Sequence, residues 1–569
     1  MKAVQKPYRH LDKSFNVEDW NEVEAVFNYL EEQPIQSKES LEQFIGHYNE
    51  LLDEINNTDV QNYVLFSTNT TDEELEKKQR LFSEKILNRS RPYCQKIEKK
   101  IYEDRHLSAL SNRYDNYRKI LHKNIKTYNT DNLSLIDEEQ VLCLKYRKTI
   151  SNITVCYDDQ EITLTQAERM LETAVNPLQR EAIWGLVKRA WLQNQKALDD
   201  IFDNIIAIRH KIARNTGFEN YGEYMHLLRD RFDYSLKEIK ELHRSVEKCI
   251  IPVLKRVNED RRKKLKLDKI KPWDEQLSVN KKSLKAFESS QDLVSKTYKV
   301  IENINIGFAD KFRIIMEWGN LDLEIRKGKT PGGFCFPIDR AGNCYICMNV
   351  TGSPHEVNIL LHESGHGIHA LSHMDEPIRE YRMFDGPGEL AEFPAKTMEL
   401  LALDSYHVYY NDSEDLQQAK KERFIDILHS LRRYILTDAF EQWIYENPLH
   451  TAGERTQYYK KLEDRFEVGV DWNHLDIEKG LGWYKSQLLV IQPLYTISYA
   501  LAQVGALAVY KHYRENKAEA IEQFENFLTM GFSRPIGELY EAAGIRFDFT
   551  EDYIRKIVVL VEEELKILE

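Results

Sequence analysis

Apolar residues recur at every third or fourth position over most of the chain, which is the spacing of one buried helix face. The pattern runs from Asn16 to about Leu142 and is clearest in three segments, 17–30, 41–55 and 75–101. Gln33-Pro34 and Asn57-Thr58-Asp59 have turn-forming composition, so we expect helix ends there. Later segments with the same spacing predict further helices, at about 166–214, 236–267 and 284–302.

Two short stretches alternate or cluster apolar residues in the way that β-strands do. Ile153–Tyr157 and Glu161–Leu164 flank Asp158-Asp159-Gln160 and predict a small hairpin. Asn343–Val350 predicts another strand, which leads directly into the next helix. The sequence therefore predicts a mainly α fold with a small sheet.

One apolar segment, Leu488–Tyr510, is long enough to cross a membrane and contains no charged residue. Gln492, Pro493 and Gln503 lie inside it, and such residues are costly in lipid or interrupt a helix. We expect a helix buried inside a large protein, and no membrane partner.

Composition narrows the class of protein. The chain has 569 residues, 42% of them hydrophobic, with only 23 Gly and 15 Pro against 30% charged residues, which favours long helices in a globular fold. Its net charge of −14 argues against nucleic acid as a partner. The first residues lack the apolar core of a signal peptide, and seven scattered cysteines are typical of reduced thiols, so we expect a cytoplasmic protein.

The strongest chemical signal is His362-Glu363-Ser364-Gly365-His366, a His-Glu-x-x-His motif. Two histidines four apart project from one face of a helix and can bind one tetrahedral metal ion. Ser353, Pro354 and Glu356 have capping-box spacing and predict the start of that helix. Glu363 is placed to act as a general base toward water at the metal.

A catalytic zinc site needs a third protein ligand and an open position. The next helical segment offers three carboxylates, Glu389, Glu392 and Glu399, and spacing alone does not choose among them. Gly365 and Gly367 lower helix propensity, which suggests that a strand or a substrate approaches the metal helix closely.

The strand before the metal helix suggests how a peptide could bind. An extended peptide can pair with an exposed strand edge through its backbone alone, so we expect the Tyr345–Asn349 strand to align a substrate. The alternative is a strand that only closes a small sheet. Cys344 and Cys347 fall on opposite faces of this strand, which excludes a shared metal site.

These motifs together resemble the thimet oligopeptidase, neurolysin and oligoendopeptidase F family of zinc metallopeptidases. The resemblance rests on His362–His369, on Lys271–Asp274, on the turn Gly328–Gly333 and on Pro493–Gln503, and it runs from about Leu164 to the C-terminus. Glu392, Pro394 and Glu399 match the family's second helix. The resemblance implies that Glu392 is the third zinc ligand and that Glu399 orients a ligand histidine.

The resemblance also implies an oxyanion donor. Tyr499 matches the family's catalytic Tyr, but Leu488 stands where a His is expected and Thr496 where relatives often carry another Tyr. Losing one oxyanion donor typically costs on the order of 100- to 1000-fold in rate. We expect further substrate contacts from residues near these motifs: Gly332, Gly333, Tyr345, His369 and Tyr495.

The sequence thus predicts a two-lobed helical zincin with a deep substrate channel, divided into an N-terminal helical region, 1–150, and a catalytic region, 151–569. We expect a metalloendopeptidase that holds one Zn²⁺ per chain and hydrolyses internal bonds of short unstructured oligopeptides. The alternatives are a carboxypeptidase or dipeptidyl carboxypeptidase of the same fold, and a catalytically impaired zinc- and peptide-binding homologue. Sequence preference and oligomeric state stay open.

Overall fold

The structure is a computed structural model that describes residues 9–174, 176–275, 277, 284–338, 342–382 and 386–568. Helices dominate it, as the hydrophobic spacing predicts. In chain order they are α1 (Trp20–Glu32), α2 (Lys38–Thr68), α3 (Glu73–Phe82), α4 (Asn88–Glu103), α5 (Asp115–Thr127), α6 (Asn132–Ser151), α7 (Leu164–Thr173), α8 (Pro177–Asn215), α9 (Tyr221–Leu228), α10 (Leu236–Cys249), α11 (Ile251–Lys264), α12 (Ser290–Ile304), α13 (Ile306–Glu317), α14 (His355–Ser372), α15 (Gly388–Leu401), α16 (Ser413–Glu446), α17 (Ala452–Arg465), α18 (Asp476–Gly480), α19 (Leu488–Ile491), α20 (Thr496–Glu515), α21 (Lys517–Leu528), α22 (Ile536–Ala542) and α23 (Glu551–Ile567).

Five strands form two small sheets in the described part of the chain. The predicted hairpin is observed as β1 (Thr154–Tyr157) and β2 (Gln160–Thr163), an antiparallel pair. Its turn places Asp158 and Asp159 in the left-handed region, at φ 49° and 61°. A three-stranded sheet consists of β3 (Leu321–Glu324), β4 (Gly333–Ile338) and β5 (Asn343–Val350) in the order β3-β5-β4.

Three predicted helix boundaries are wrong. Asn57-Thr58-Asp59 lies within α2, because apolar positions on both sides, including Leu51 and Val64, are buried along one continuous helix. The helix expected over 166–214 is broken, since Pro177 begins α8 at its first turn, where a missing backbone donor is tolerated. In the same way, Pro252 follows the start of α11 and separates it from α10.

Residue contacts divide the chain into two compact units. The first consists of Met1–Lys126, Leu284–Lys420 and Leu501–Phe547, and it contains the three-stranded sheet, α14 and α15. The second consists of Thr127–Ser283, Lys421–Ala500 and Asp548–Glu569, and it contains the hairpin. The division into regions 1–150 and 151–569 stays a prediction.

The core of the first unit forms where the sheet packs on α14. Ile346 of β5 and Leu360 of α14 are fully buried, as is Phe312 of α13. The alternating residues Cys344, Ile346 and Met348 all lie inside, whereas Tyr345 and Asn349 stay partly exposed. One face of the sheet therefore supports the metal helix directly.

Candidate metal centre and active site

A single carboxylate stabilises the loop that precedes α14. Glu356 is buried and accepts backbone N–H bonds from Thr351 (2.8 Å), Gly352 (3.0 Å) and Ser353 (3.1 Å). This is one half of the expected capping box. The other half differs, because Ser353 Oγ accepts from the His355 N–H rather than from that of Glu356, and the helix begins after Pro354.

Gly365 of α14 is required by the close approach of another helix, rather than of a strand or a substrate. A Cβ atom at this position would lie 2.6 Å from Ala395 Cα and 3.0 Å from the Pro394 carbonyl oxygen, both in α15. Because those atoms belong to backbone, they cannot move aside cheaply. The glycine therefore sets the distance between the two helices that carry the candidate ligands.

Replacing Gly365 with Ala should push α14 and α15 apart. The new methyl group overpacks a backbone contact, and such changes typically cost 1–3 kcal/mol, on the order of the larger single-site effects. We expect a lower urea midpoint at unchanged m-value together with weaker metal retention. Gly453→Ala is the matched control, since a Cβ there would meet only Thr451 Oγ1 at 3.9 Å. Equal stability of the two variants would contradict the close-approach explanation.

Three side chains converge between α14 and α15. His362 Nε2 lies 3.2 Å from His366 Nε2, and Glu392 Oε2 lies 3.3 Å and 3.7 Å from the same two nitrogens. Among the described residues, these three form the group of His, Cys, Asp and Glu side chains whose ligand atoms all lie within 4.8 Å. The geometry singles out Glu392 from the three carboxylates that spacing left open.

The separations match what a tetrahedral ion requires. Bonds of about 2.0–2.1 Å at tetrahedral angles place ligand atoms about 3.4 Å apart. Two imidazole nitrogens 3.2 Å apart need a proton or a metal ion between them, because two facing lone pairs would repel each other. Burial lowers the pKa of His366 to about 4, which keeps that imidazole neutral and able to bind a metal. The residues present therefore fit a divalent cation such as zinc.

Glu399 fixes the orientation of the first histidine. Its Oε1 lies 2.7 Å from His362 Nδ1 and accepts a further bond from Lys396 Nζ at 3.0 Å. A carboxylate beside Nδ1 favours a proton on that nitrogen, so that Nε2 can bind a metal ion once its own proton is displaced. Against the lowering effect of burial, hydrogen bonds to Glu392 and Glu399 raise the pKa of His362 to about 9 when no metal is bound. The arrangement agrees with the orienting role that the resemblance implies for Glu399.

Glu363 lies on the same helix, with its carboxyl group against the sheet. Burial raises its pKa to about 7, so the group is poised to exchange a proton near neutral pH. A Cβ on Gly333 would lie 2.9 Å from Glu363 Oε1 and 2.6 Å from Ile359 Cγ2. Only a glycine lets the strand approach this carboxylate so closely.

The expectation that β5 offers an exposed edge is wrong. β5 is the central strand: β3 pairs with it from Ile346 to Val350 and β4 from Asn343 to Met348. Its backbone is therefore already used on both sides, and the alternative, a strand that closes a small sheet, is what the structure has. Within the described residues, β4 has β5 as its one strand neighbour, so the edge next to Glu363 belongs to β4.

The other substrate contacts expected in the first unit have different surroundings. Gly332 is exposed at φ 104° just before β4, and the Tyr345 hydroxyl donates to Asp322 Oδ2 at 3.2 Å. His369 is only 4% exposed and stacks on Phe527 with ring centroids 5.9 Å apart. This packing favours a structural role for His369, while contact of Gly332 and Tyr345 with a substrate stays a prediction.

Tyr495 and Tyr499 lie in the second unit, next to each other. Their rings meet edge to face at 5.2 Å, and Tyr434 stacks on Tyr499 at 5.3 Å. The long apolar helix expected over 488–510 is broken into α19 and α20, and Leu494 between them has φ 57°. Both tyrosines keep partial exposure, while most of their neighbours in this segment are buried.

Sequence reasoning missed what holds this segment. Arg209, itself fully buried, donates to the carbonyl oxygens of Leu489 (3.0 Å) and Val490. Arg229 donates to the carbonyl oxygen of Pro493 and Arg231 to that of Leu494, at 2.8 Å each. The Arg229-Asp230-Arg231 triplet is the sequence signal for these contacts. Charged side chains that become buried need polar partners, and backbone carbonyl groups of a turn can be such partners.

A carboxylate of α16 binds the same turn as these arginine residues. We call the arginine and glutamate contacts together the clamp. Glu441 accepts the Leu494 N–H at 2.6 Å and the Thr496 hydroxyl at 3.1 Å. Burial raises its pKa to about 8. The turn that presents Tyr495 and Tyr499 is thus held largely through its backbone atoms, and the Arg229 guanidinium also lies over the Tyr495 ring at 5.1 Å.

A helical chain with a His-Glu-x-x-His helix and a glutamate ligand from a following helix belongs to the metallopeptidases. More narrowly, this chain belongs to peptidase family M3, whose sequence model matches residues 170–559. The resemblance to the thimet oligopeptidase and oligoendopeptidase F group is therefore confirmed, and so is the mainly α fold.

Known proteins agree with this placement. The oligoendopeptidase F homolog of Borreliella burgdorferi is 22% identical over 358 residues, which are 60% of this chain and 57% of that relative. The solved structure of PZ peptidase A with an inhibitor matches with a TM-score of 0.89 at 22% identity, covering 98% of this chain and 99% of the other. Oligoendopeptidase F from Enterococcus faecium matches with a TM-score of 0.65 at 14% identity, covering 96% and 97%. At sequence identities of 14–22%, the structural similarity shows that this chain has the same fold as these proteins.

The apolar segment around α20 is not a membrane span. Within the described residues, no helix has both the length and the sustained hydropathy needed to cross a bilayer.

Proposed function

We propose that the chain is a zinc-dependent endopeptidase that hydrolyses internal bonds of short oligopeptides. The observation that carries the proposal is the convergence of His362, His366 and Glu392 at ligand spacing, with Glu363 beside them. The restriction to short unstructured peptides, and a cytoplasmic location, rest on the family resemblance and on composition.

His362 Nε2, His366 Nε2 and Glu392 Oε2 would hold the ion, with Glu399 fixing the tautomer of the first histidine. When bound, Zn²⁺ supplies a Lewis acid that polarises the attacking water and the scissile carbonyl. Two neutral imidazoles and one carboxylate leave a fourth position of a tetrahedron open, as a catalytic site requires.

Glu363 would move the proton. Its carboxylate accepts a proton as water attacks the scissile carbonyl carbon, and it returns that proton to the amine nitrogen as the C–N bond breaks. The carboxyl group is buried, so exchange with bulk water would compete poorly with this transfer. Because Gly333 of β4 approaches this carboxyl group closely, a peptide cleaved here would lie beside β4.

β4 would align the substrate, in place of the β5 strand first expected. A peptide that pairs with the β4 edge places its backbone beside Gly333 and hence beside Glu363. Such pairing recognises backbone atoms and tolerates many sequences, which suits an oligopeptidase.

Tyr499 would donate to the oxyanion, as the resemblance implies, and the clamped turn would present it. Tyr499→Phe should lower kcat by roughly 100- to 1000-fold with little change in zinc content, because it removes one donor. Tyr434→Phe is the matched control, since that ring stacks on Tyr499 without an assigned proton-donating role. Equal losses in kcat from the two substitutions would contradict a specific role for the Tyr499 hydroxyl.

Leu488 favours a second candidate, a catalytically impaired homologue that binds zinc and peptide. It occupies the position where the family resemblance implies a His, and its side chain is apolar and half-buried at the start of α19. Leu488→His should raise kcat if the missing donor limits turnover. An unchanged kcat would show that this position is not limiting.

The proposal as a whole is tested by metal removal and product mapping. We expect wild-type protein to cleave a mixed peptide library, to lose that activity on chelation, and to regain it with one equivalent of zinc. Mass spectrometry of the products separates internal cleavage from stepwise or dipeptide release at the C-terminus, which would indicate the exopeptidase alternative. No cleavage by the zinc-loaded protein would leave the binding homologue.

A further inference from the structure

Residues of β4 alternate between two faces of the sheet, and only one face is occupied by the metal helix. Gly333 points at Ile359 and Glu363, and Cys335 Sγ lies 3.8 Å from where a Cβ on Gly367 would sit. Because strand side chains alternate, Phe334 and Phe336 must lie on the opposite face. That face is outside the catalytic arrangement described above.

The side chains of Phe334 and Phe336 contact each other, and an aromatic side chain of α2 contacts Phe336. Their rings stack with centroids 5.9 Å apart and an interplanar angle of 19°. Tyr63 meets Phe336 edge to face at 5.4 Å. We call Tyr63, Phe334 and Phe336 the aromatic row. Its members are not sealed in the core: both phenylalanines are half-buried, and Tyr63 is 39% exposed.

The charged side chains of β3 and of the turn before β4 pair with one another. Asp322, on the neighbouring part of the sheet, pairs with Arg326 Nη2 at 2.6 Å and with Lys329 Nζ at 2.8 Å. Lys329 Nζ is buried and also donates to the carbonyl oxygens of Glu324 and Met348. The three rings of the aromatic row favour an apolar or aromatic partner over an ionic one.

We propose that the aromatic row is a specificity subsite that binds an apolar or aromatic side chain of the peptide substrate. The inference rests on the proposed function, in which the peptide pairs with the β4 edge. On a paired strand, every second side chain of the peptide falls on the aromatic face and packs against its cross-strand neighbours. The metallopeptidase thereby selects peptides by one side chain although it aligns them by backbone.

The position of that side chain follows from the strand geometry. A Cβ on Gly333 would lie 2.9 Å from Glu363 Oε1, so in the proposed mechanism the cleaved bond lies beside Gly333. Phe334 is the next residue and faces the other way, at a rise of about 3.3 Å per residue. The selected side chain therefore belongs to a residue within about two positions of the cleaved bond.

The test uses one peptide series with Phe, Leu, Ala or Asp at each position near the cleavage site. For wild-type protein we expect kcat/KM to be about tenfold higher with Phe or Leu than with Ala at one such position, the size of one aromatic packing contact. Phe334→Ala and Tyr63→Leu should remove most of this preference by lowering kcat/KM for the Phe and Leu peptides toward the value for the Ala peptide. Tyr102→Leu, a tyrosine of the same 39% exposure in α4, should leave the preference intact.

A binding measurement separates the subsite from catalysis. Calorimetry of Glu363→Gln protein with the Phe and Ala peptides should show the same roughly tenfold preference, lost again with Phe334→Ala in that background. A preference seen only in binding would support the subsite while the peptidase proposal failed. Cleavage by the wild type without any preference, or equal losses with Phe334→Ala and Tyr102→Leu, would overturn the subsite and leave the peptidase proposal standing.

Discussion

Glu363→Gln should reduce kcat by about 100- to 10,000-fold while the protein keeps one zinc per chain. That range is the usual contribution of a positioned general acid–base. Gln has the size of Glu and fits the space between α14 and Gly333, but its amide cannot take a proton from water or return it to the leaving amine. The measurement is kcat on a peptide that the wild type cleaves, together with metal content by mass spectrometry.

Glu356→Gln provides the matched control for this variant. Glu356 is a buried carboxylate of the same helix whose oxygens serve backbone N–H groups of the preceding loop. Its replacement should lower the free energy of unfolding, with kcat per folded molecule largely kept. If Glu363→Gln retained wild-type kcat, another group would have to be the base and the proposed mechanism would fail.

The metal half of the site could be predicted from sequence because it is local. His362, Glu363 and His366 lie within five residues, so the helix period alone places them on one face. The strand Asn343–Val350 was found with the same bounds for the same reason, since alternation is visible in a short window. In both cases the residues that define the feature are neighbours in the sequence and also neighbours in the structure.

Features that depend on partners distant in sequence were not accessible. Whether β5 has a free edge depends on β3, more than twenty residues earlier, and no pattern inside the strand records that pairing. The choice of Glu392 over Glu389 and Glu399 required either the family motif or the distance between α14 and α15, which Gly365 sets. The clamp on the Leu489–Leu494 turn joins arginines and carbonyl groups more than 250 residues apart.

Glu392→Gln should have the largest effect on metal binding, because it replaces the one anionic ligand with a neutral amide. Removing an orienting partner such as Glu399 typically costs 10- to 100-fold in metal affinity, so a lost ligand should cost more than about 100-fold. We therefore expect Glu392→Gln to purify with much less than one zinc per chain and to lose peptide cleavage with it. Glu399→Gln should fall between this variant and the wild type.

The same ordering should appear in stability without any reference to activity. An ion that binds the native state raises the free energy of unfolding by about 2.7 kcal/mol at 100 times its Kd. At one fixed zinc concentration, the zinc-induced rise in Tm should be full in wild type, smaller in Glu399→Gln and nearly absent in Glu392→Gln. Glu422→Gln, a carboxylate of α16 outside the ligand group, serves as the control and should keep the full rise. A full zinc-induced rise in Glu392→Gln would remove that glutamate from the ligand set, and the choice would return to the two other carboxylates of α15.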